Sequence, residues 1–220
     1  MLNNPTPVNA TLELILQIGS GFFWTLTYIL ILRRGFKDKA YGMPVVALCA
    51  NIAWEFTFSF IFPHPKPQLY INYIWLLFDV GILGQYLIYG KIYFTPNLPR
   101  HFFYPAFILA LVLSALTIIL MSYEFNEFIG IYAAFAQNLL MSGLFITMLL
   151  KRNNSKGQSV YIALFKLIGT LFPSILFYHY FPHSYLLMML YIAILIYDFI
   201  YLWLLHYKIK LAGVNPWLRL

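Results

Sequence analysis

YLLMMLYIAILIYDFIYLWLL, residues 185–205, is a run of 21 residues holding a single charge, Asp198. A helix rises about 1.5 Å per residue, so the run is long enough to cross the roughly 30 Å hydrocarbon layer of a bilayer. Basic residues follow it at Lys208, Lys210 and Arg219. An apolar run of this length, closed by cations, reads as a membrane span.

The same reading carried upstream finds six more runs, at 12–32, 43–62, 71–90, 104–121, 127–150 and 160–181. Composition agrees. Hydrophobic residues make up 62% of the chain and charged residues 10%, whereas a water-soluble domain carries about 25% charged residues. Mean hydropathy is +0.76. No Lys or Arg precedes Thr11, and the first run is longer than a signal-peptide core and ends in Arg33-Arg34. It reads as a true span. The single cysteine, Cys49, excludes a disulfide framework or a cysteine-based metal site and reads as a small buried hydrophobe. No linker, repeat or low-complexity tract divides residues 1–220, so one domain is expected. The predicted fold is an all-α integral membrane protein, a bundle of seven transmembrane helices. Pro182-His183-Ser184 joins the last two as a tight hairpin.

Loop charge supports the odd count. Alternate loops carry Arg33, Arg34, Lys37 and Lys39, then Lys91 and Arg100, then Lys151, Arg152 and Lys156, then Lys208, Lys210 and Arg219. The opposite loops hold only Lys66. Positive residues favour the cytoplasmic side, which places the C-terminus in the cytoplasm and the N-terminus outside. The same bias accounts for the basic pI without a nucleic-acid partner. Lys166 lies within the sixth span and is expected to snorkel toward its cytoplasmic end.

Ionisable groups inside a bilayer are costly and mark function. Glu13, Asp38, Glu124 and Glu127 fall at helix ends or in loops and read as solvated. Glu55, Asp79 and Asp198 do not. Helical rise puts Glu55 roughly 10 Å and Asp79 roughly 12 Å from the outer ends of their spans, and Asp198 roughly 20 Å along the last one. All three can line one cavity, with Gln137 and Asn138 at similar depth. Asn51 and Glu55 are i, i+4 neighbours with Trp54 beside them, as are Trp75 and Asp79; Tyr197 and Tyr201 flank Asp198. Hydrogen bonds between helices, worth about 1 kcal/mol each, account for Asn51, Gln137 and Asn138 as well as chemistry does. Asp79 is evenly balanced. Glu55 and Asp198 point to function, because no arginine within the spans is placed to neutralise them. A carboxyl surrounded by hydrocarbon favours its neutral form, so it can relay a proton or act as a general acid on a lipophilic substrate. Aromatic residues are 20% of the chain. Many belong to interfacial belts, but π faces beside an acid also suit a reaction that passes through cations.

The segments Arg33–Pro44, Asn51-Ile52-Ala53-Trp54-Glu55-Phe56, Trp75-Leu76-Leu77-Phe78-Asp79-Val80, Gln137–Ser142, Gly157-Gln158-Ser159, Lys166–Thr170 and Tyr197-Asp198-Phe199-Ile200-Tyr201, in this order, resemble the integral-membrane terpene cyclases of fungal meroterpenoid and indole-diterpene pathways and their bacterial relatives. The resemblance runs from about Arg33 to Leu205. It implies a seven-helix terpene cyclase, of isomerase or intramolecular lyase type, that closes rings in a prenyl chain carried on a head group. Protonation of a terminal epoxide or alkene opens the reaction, with no metal, no other cofactor and no loss of diphosphate. The family's two key acids fall on Glu55 and Asp198. Asn51, Trp54, Trp75, Asp79, Gln137, Asn138, Tyr197 and Tyr201 form the expected surroundings. The implied partners are a lipophilic prenylated substrate, membrane lipid, an upstream prenyltransferase and, for epoxide opening, an epoxidase. The location is multi-pass in a bacterial inner membrane or the endoplasmic reticulum.

The competing class is a small proton-coupled transporter that uses Glu and Asp as a relay. Transporter folds commonly carry internal repeats, and the sequence shows none. A retinal protein needs a lysine in the last span, where there is none, and all five histidines lie in loops or at helix ends.

Overall fold

The protein, described from a computed structural model over residues 2, 5–95 and 97–220, is built from seven α-helices. They are α1 (Ala10–Asp38), α2 (Val45–Phe56), α3 (Gln68–Tyr89), α4 (Phe103–Glu124), α5 (Ile131–Arg152), α6 (Val160–Tyr180) and α7 (Tyr185–Leu211). A π-helical turn, Thr57–Ile61, extends α2. No strand occurs among the described residues. Six helices are long and apolar enough to cross a membrane; α2 with its extension is a shorter apolar helix.

Helix ends explain where the expected boundaries move. Asn9 caps α1 by accepting the Thr11 N–H at 2.9 Å. The helix then runs past the hydrocarbon limit of residue 32 through its basic stretch, because Arg and Lys are good helix formers at the surface. It stops at Lys39, in the left-handed region (φ 51°), where the Ala40 N–H bonds the Gly35 carbonyl at 2.9 Å. At the start of α5, Gly130 adopts φ +72° and delays the helix to Ile131.

Packing order is not chain order. α1 packs most extensively on α6, α5 on α7, and α2 on α3, α4 and α5. Six helices thus form the ring α1–α3–α2–α5–α7–α6, and α4 lies outside against α2. The outward faces carry apolar residues such as Ile18, Leu77, Ile108 and Trp203. These suit lipid.

The α1–α6 contact depends on two local features. Pro173 lies inside α6; it has no N–H to offer the carbonyl four residues earlier. That carbonyl, on Gly169, instead accepts the Ser20 hydroxyl of α1 at 3.1 Å. Gly169 also lets α1 approach closely, since a Cβ there would stand 2.9 Å from Trp24 Cδ1 and 3.2 Å from its backbone nitrogen.

At the end of the bundle that carries the C-terminus, Asp38 is a hub rather than the solvated acid expected. It pairs with Arg34 and, at 2.8 Å, with Arg219, and it accepts the Gly157 N–H at 2.8 Å. Three segments distant in sequence are clipped together there. Gln158 accepts the Tyr201 hydroxyl at 2.9 Å, and Ser159 caps α6. Gly169→Ala should therefore destabilise the protein by about 1–3 kcal/mol through overpacking, read as a lower midpoint of thermal unfolding in detergent; an unchanged midpoint would contradict the close α1–α6 approach.

Candidate functional site

One cavity of about 430 Å³ opens between α1, α2, α5 and α6. On α1, Glu13, Gln17, Ser20, Trp24 and Tyr28 recur every three or four residues and line one wall. From Glu13 to Tyr28 that wall spans about 22 Å. Asn51, Trp54 and Glu55 of α2, Gln137, Asn138 and Met141 of α5, and Trp75 of α3 close the inner part. Pro5, His64, Pro65, Gln68, Ile129 and Tyr180 surround the other end, where α1 begins. Below the inner end the bundle is solid. Ile31, Ala47, Leu48, Phe145 and Leu149 are fully buried there. No Lys or Arg lines the cavity among the described residues.

The acid at the inner end is Glu55, which is 2% exposed. The Tyr28 hydroxyl donates to its Oε1 at 2.8 Å, and the Asn51 amide donates to the same hydroxyl at 2.8 Å. The chain Asn51–Tyr28–Glu55 fixes the carboxyl from one side. Asp79 stands on the other, beside Glu55 and Asn51 but behind the cavity wall. Glu55 Oε2 and both Asp79 oxygens are buried and receive no hydrogen from another group. Rings enclose the space. Trp75 lies 6.5 Å from Trp24 and 6.2 Å from Tyr28 between centroids, and Tyr28 stacks on Phe78.

Asp198 lies elsewhere, and its surroundings differ from those expected. Lys166 does not snorkel. It is buried, and its ammonium donates to Asp198 Oδ1 at 2.7 Å, to Oδ2 at 2.9 Å and to Ser142 at 2.8 Å. The expectation of three unneutralised acids is corrected to two, Glu55 and Asp79. Distance from the helix end placed Lys166 at the interface; its helical face, which points at α7, decides the outcome. Desolvating both ions together is far less costly than burying either alone. Asp198 borders a separate space of about 90 Å³ between α6 and α7.

The remaining expected neighbours divide. Asn51, Trp54, Trp75, Gln137 and Asn138 line the cavity. Gln137 Oε1 has no partner, whereas the Asn138 amide donates to Thr170 at 2.9 Å. Tyr197 is 42% exposed on the outer face, and Tyr201 is buried toward Gln158. Neither lines the cavity, to which α7 contributes no residue among the described residues.

Several cavity residues escape a reading of single spans. Tyr28 and Trp24 belong to a polar and aromatic stripe on α1 whose i, i+3/i+4 spacing was available in the sequence. His64, expected in a loop, is buried, and its ring stacks on Phe58 with centroids 5.1 Å apart. Its Nε2 faces the Ile129 carbonyl at 2.8 Å, so that nitrogen carries the hydrogen, and Nδ1 accepts from Asn72 at 2.9 Å. Both bonds suit the neutral ring, and burial pushes the His64 pKa down. Glu127, expected to be solvated, is also buried. It accepts the Ile129 and Ile131 N–H groups at 2.7 Å each. Burial pushes its pKa up, and the backbone donors oppose that shift. Glu127 thereby shapes the loop whose Gly130 carbonyl accepts the Trp54 indole at 3.0 Å.

The ion pair gives a direct test. Lys166→Met should cost about 3–5 kcal/mol by leaving Asp198 unpaired in the core, and Lys166→Met with Asp198→Leu should recover most of the loss in thermal stability. Additive losses in the double variant would mean that the pair is not formed.

Comparison with known proteins agrees with this architecture. The profile of the Pyr4-like transmembrane terpene cyclases matches residues 2–210. A Pyr4-family terpene cyclase, mfmH of Annulohypoxylon moriforme, is 32% identical over 77% of this chain and 73% of its own length. Terpene cyclase pyr4 of Aspergillus fumigatus is 29% identical over 70% of this chain and 65% of its own, and terpene cyclase macJ of Penicillium terrestre is 26% identical over 76% and 67%. No solved structure matches. The chain belongs to the Pyr4-like transmembrane terpene cyclases and is a membrane terpene cyclase.

Proposed function

We propose that this enzyme protonates the terminal alkene or epoxide of a prenylated, meroterpenoid-type substrate and guides the resulting cation through ring closure, with Glu55 as the general acid. One observation carries the reading. Glu55 is the buried acid at the closed inner end of the large cavity, and its second oxygen has no partner in the protein.

Glu55 and Asp79 act as one unit. Two carboxylates side by side in hydrocarbon repel each other and cannot both ionise readily. A carboxyl donates a hydrogen bond only when protonated. One proton held between the two gives otherwise orphaned oxygens a donor and keeps an acid ready at Glu55. Asp79 is the second acid, acting through Glu55 and not on substrate.

The proton passes from Glu55 to the epoxide oxygen or alkene carbon at the chain terminus. Alkene π electrons then form the new carbon–carbon bonds one after another. Trp24, Tyr28, Trp54 and Trp75 offer π faces to the moving cation, and the closed inner end keeps water out. Loss of a proton from carbon, or capture by a head-group hydroxyl with loss of its proton, ends the sequence. The net change is an isomerisation, and the released proton restores the Glu55–Asp79 pair. Asp198 supports the site from behind, as a positioning residue. It anchors Lys166, whose ammonium holds Ser142 and lies 5.9 Å over the Trp24 ring.

The seven-span count, with the N-terminus outside and the C-terminus cytoplasmic, belongs to the same proposal and rests on the loop charges. So do the pathway partners, a prenyltransferase and an epoxidase that furnish such substrates. Family membership removes the ground for the transporter alternative.

Membranes holding the enzyme should convert a farnesylated phenol, with or without its terminal epoxide, to a product of unchanged mass and altered retention. Glu55→Gln keeps size and hydrogen bonding but removes the acid, and should lower turnover by about 10²–10⁴-fold. Asp79→Asn should lower it less. Normal turnover by a folded Glu55→Gln protein would overturn the assignment.

A further inference from the structure

The cavity is closed at Glu55 and open where α1 begins, so an amphiphilic substrate has only one way to lie in it. The mouth has a chemistry of its own. Glu13 Oε1 accepts the Gln17 amide at 3.1 Å, and the Tyr180 hydroxyl lies beside the same carboxylate. Gln68, across the opening, donates to Asn72 at 2.8 Å and keeps its own carbonyl free. His64 is committed on both nitrogens. The backbone bounds the opening as well, since the Thr6 N–H is tied to the Tyr180 carbonyl at 2.8 Å.

This rim is rich in acceptors and, among the described residues, lacks a cation. Among the described residues the lysine at this end, Lys66, lies over the Tyr70 ring, outside the cavity lining. A carboxylate offers about four acceptor positions, so Glu13 retains free ones after binding Gln17 and Tyr180. Such a rim repels phosphate and carboxylate groups and welcomes an uncharged group that carries a hydrogen-bond donor.

Resting on the function proposed above, we infer that the mouth is a head-group subsite in which Glu13 accepts a hydrogen bond from a hydroxyl of an uncharged head group, while the prenyl tail points inward to Glu55. Glu13 is thus a specificity-determining residue, about 22 Å along α1 from Tyr28, which holds the acid. The subsite sets which end of the substrate meets the proton.

The test uses probes that cannot react: a hydroquinone bearing a fully saturated farnesyl-length chain, the same compound with both hydroxyls methylated, and its phosphate monoester. Binding to the purified full chain in detergent is read from the fluorescence of Trp24, Trp54 and Trp75 in the cavity wall. The hydroquinone should bind about tenfold tighter than its methyl ether, the worth of one hydrogen bond to a charged acceptor, and the phosphate should bind weakest. Glu13→Ala should bring hydroquinone and ether to within about twofold, and Glu13→Gln, which keeps an acceptor, should restore part of the gap. A merely structural role for Glu13 would weaken all probes alike. Equal affinities in the wild type, no binding of either neutral probe, or a preference that survives Glu13→Ala would overturn the inference. Glu55→Gln serves as the control that separates the two readings. It should keep the full preference while losing turnover. Should it instead keep turnover, the chemistry assigned to Glu55 fails while the head-group subsite stands.

Discussion

Hydrocarbon offers no hydrogen bonds, so every polar group buried among these helices must find its partner inside the protein. That constraint orders the structure. The carbonyl freed by Pro173 is met by Ser20, the indole of Trp54 by Gly130, and the ammonium of Lys166 by Asp198 and Ser142. Among the carboxyls buried within the helices the exceptions carry meaning. Glu55 and Asp79 are left with three oxygens that no other group serves, and one of those carboxyls faces the cavity. A fold that satisfies its other deep charge with an ion pair leaves this pair reactive.

The two deep acid sites therefore do different things for one physical reason. Asp198 has a cation at 2.7 Å and is held in an ion pair. Glu55 has no cation but a second buried carboxyl beside it, and repulsion between the two favours a retained proton. The aromatic wall belongs with the second arrangement, because π faces steady a cation without bonding to it. Arrangement in space follows from the ring order of the helices. α1, α2, α5 and α6 meet around the cavity, while α4 is left to cover α2 from outside.

Much of this was legible in the sequence. Apolar runs and loop charge gave the helices, and the cost of buried carboxyls singled out Glu55, Asp79 and Asp198. What stayed hidden depends on which face each helix turns inward. Distance along a span suggested a water-reaching Lys166, yet its face put it against α7. Tyr197 and Tyr201 adjoin Asp198 in the chain but not in the cavity. Tyr28, the direct partner of Glu55, comes from a span with no deep acid to draw notice. Glu127 and His64 read as loop residues, but a loop folded back over the cavity buries them. Two of the segments that carry the family resemblance, Arg33–Pro44 and Gly157-Gln158-Ser159, belong to the Asp38 hub far from the cavity. They mark the fold, not the chemistry.

The shared proton between Glu55 and Asp79 is the centre of this account. Infrared spectroscopy of the protein in lipid near neutral pH, in light and heavy water, measures it directly. A protonated-carboxyl band should be present, shift in heavy water and change in Glu55→Gln and in Asp79→Asn. A spectrum in which neither substitution alters any protonated-carboxyl band would show both groups ionised, and the proposed acid would not exist.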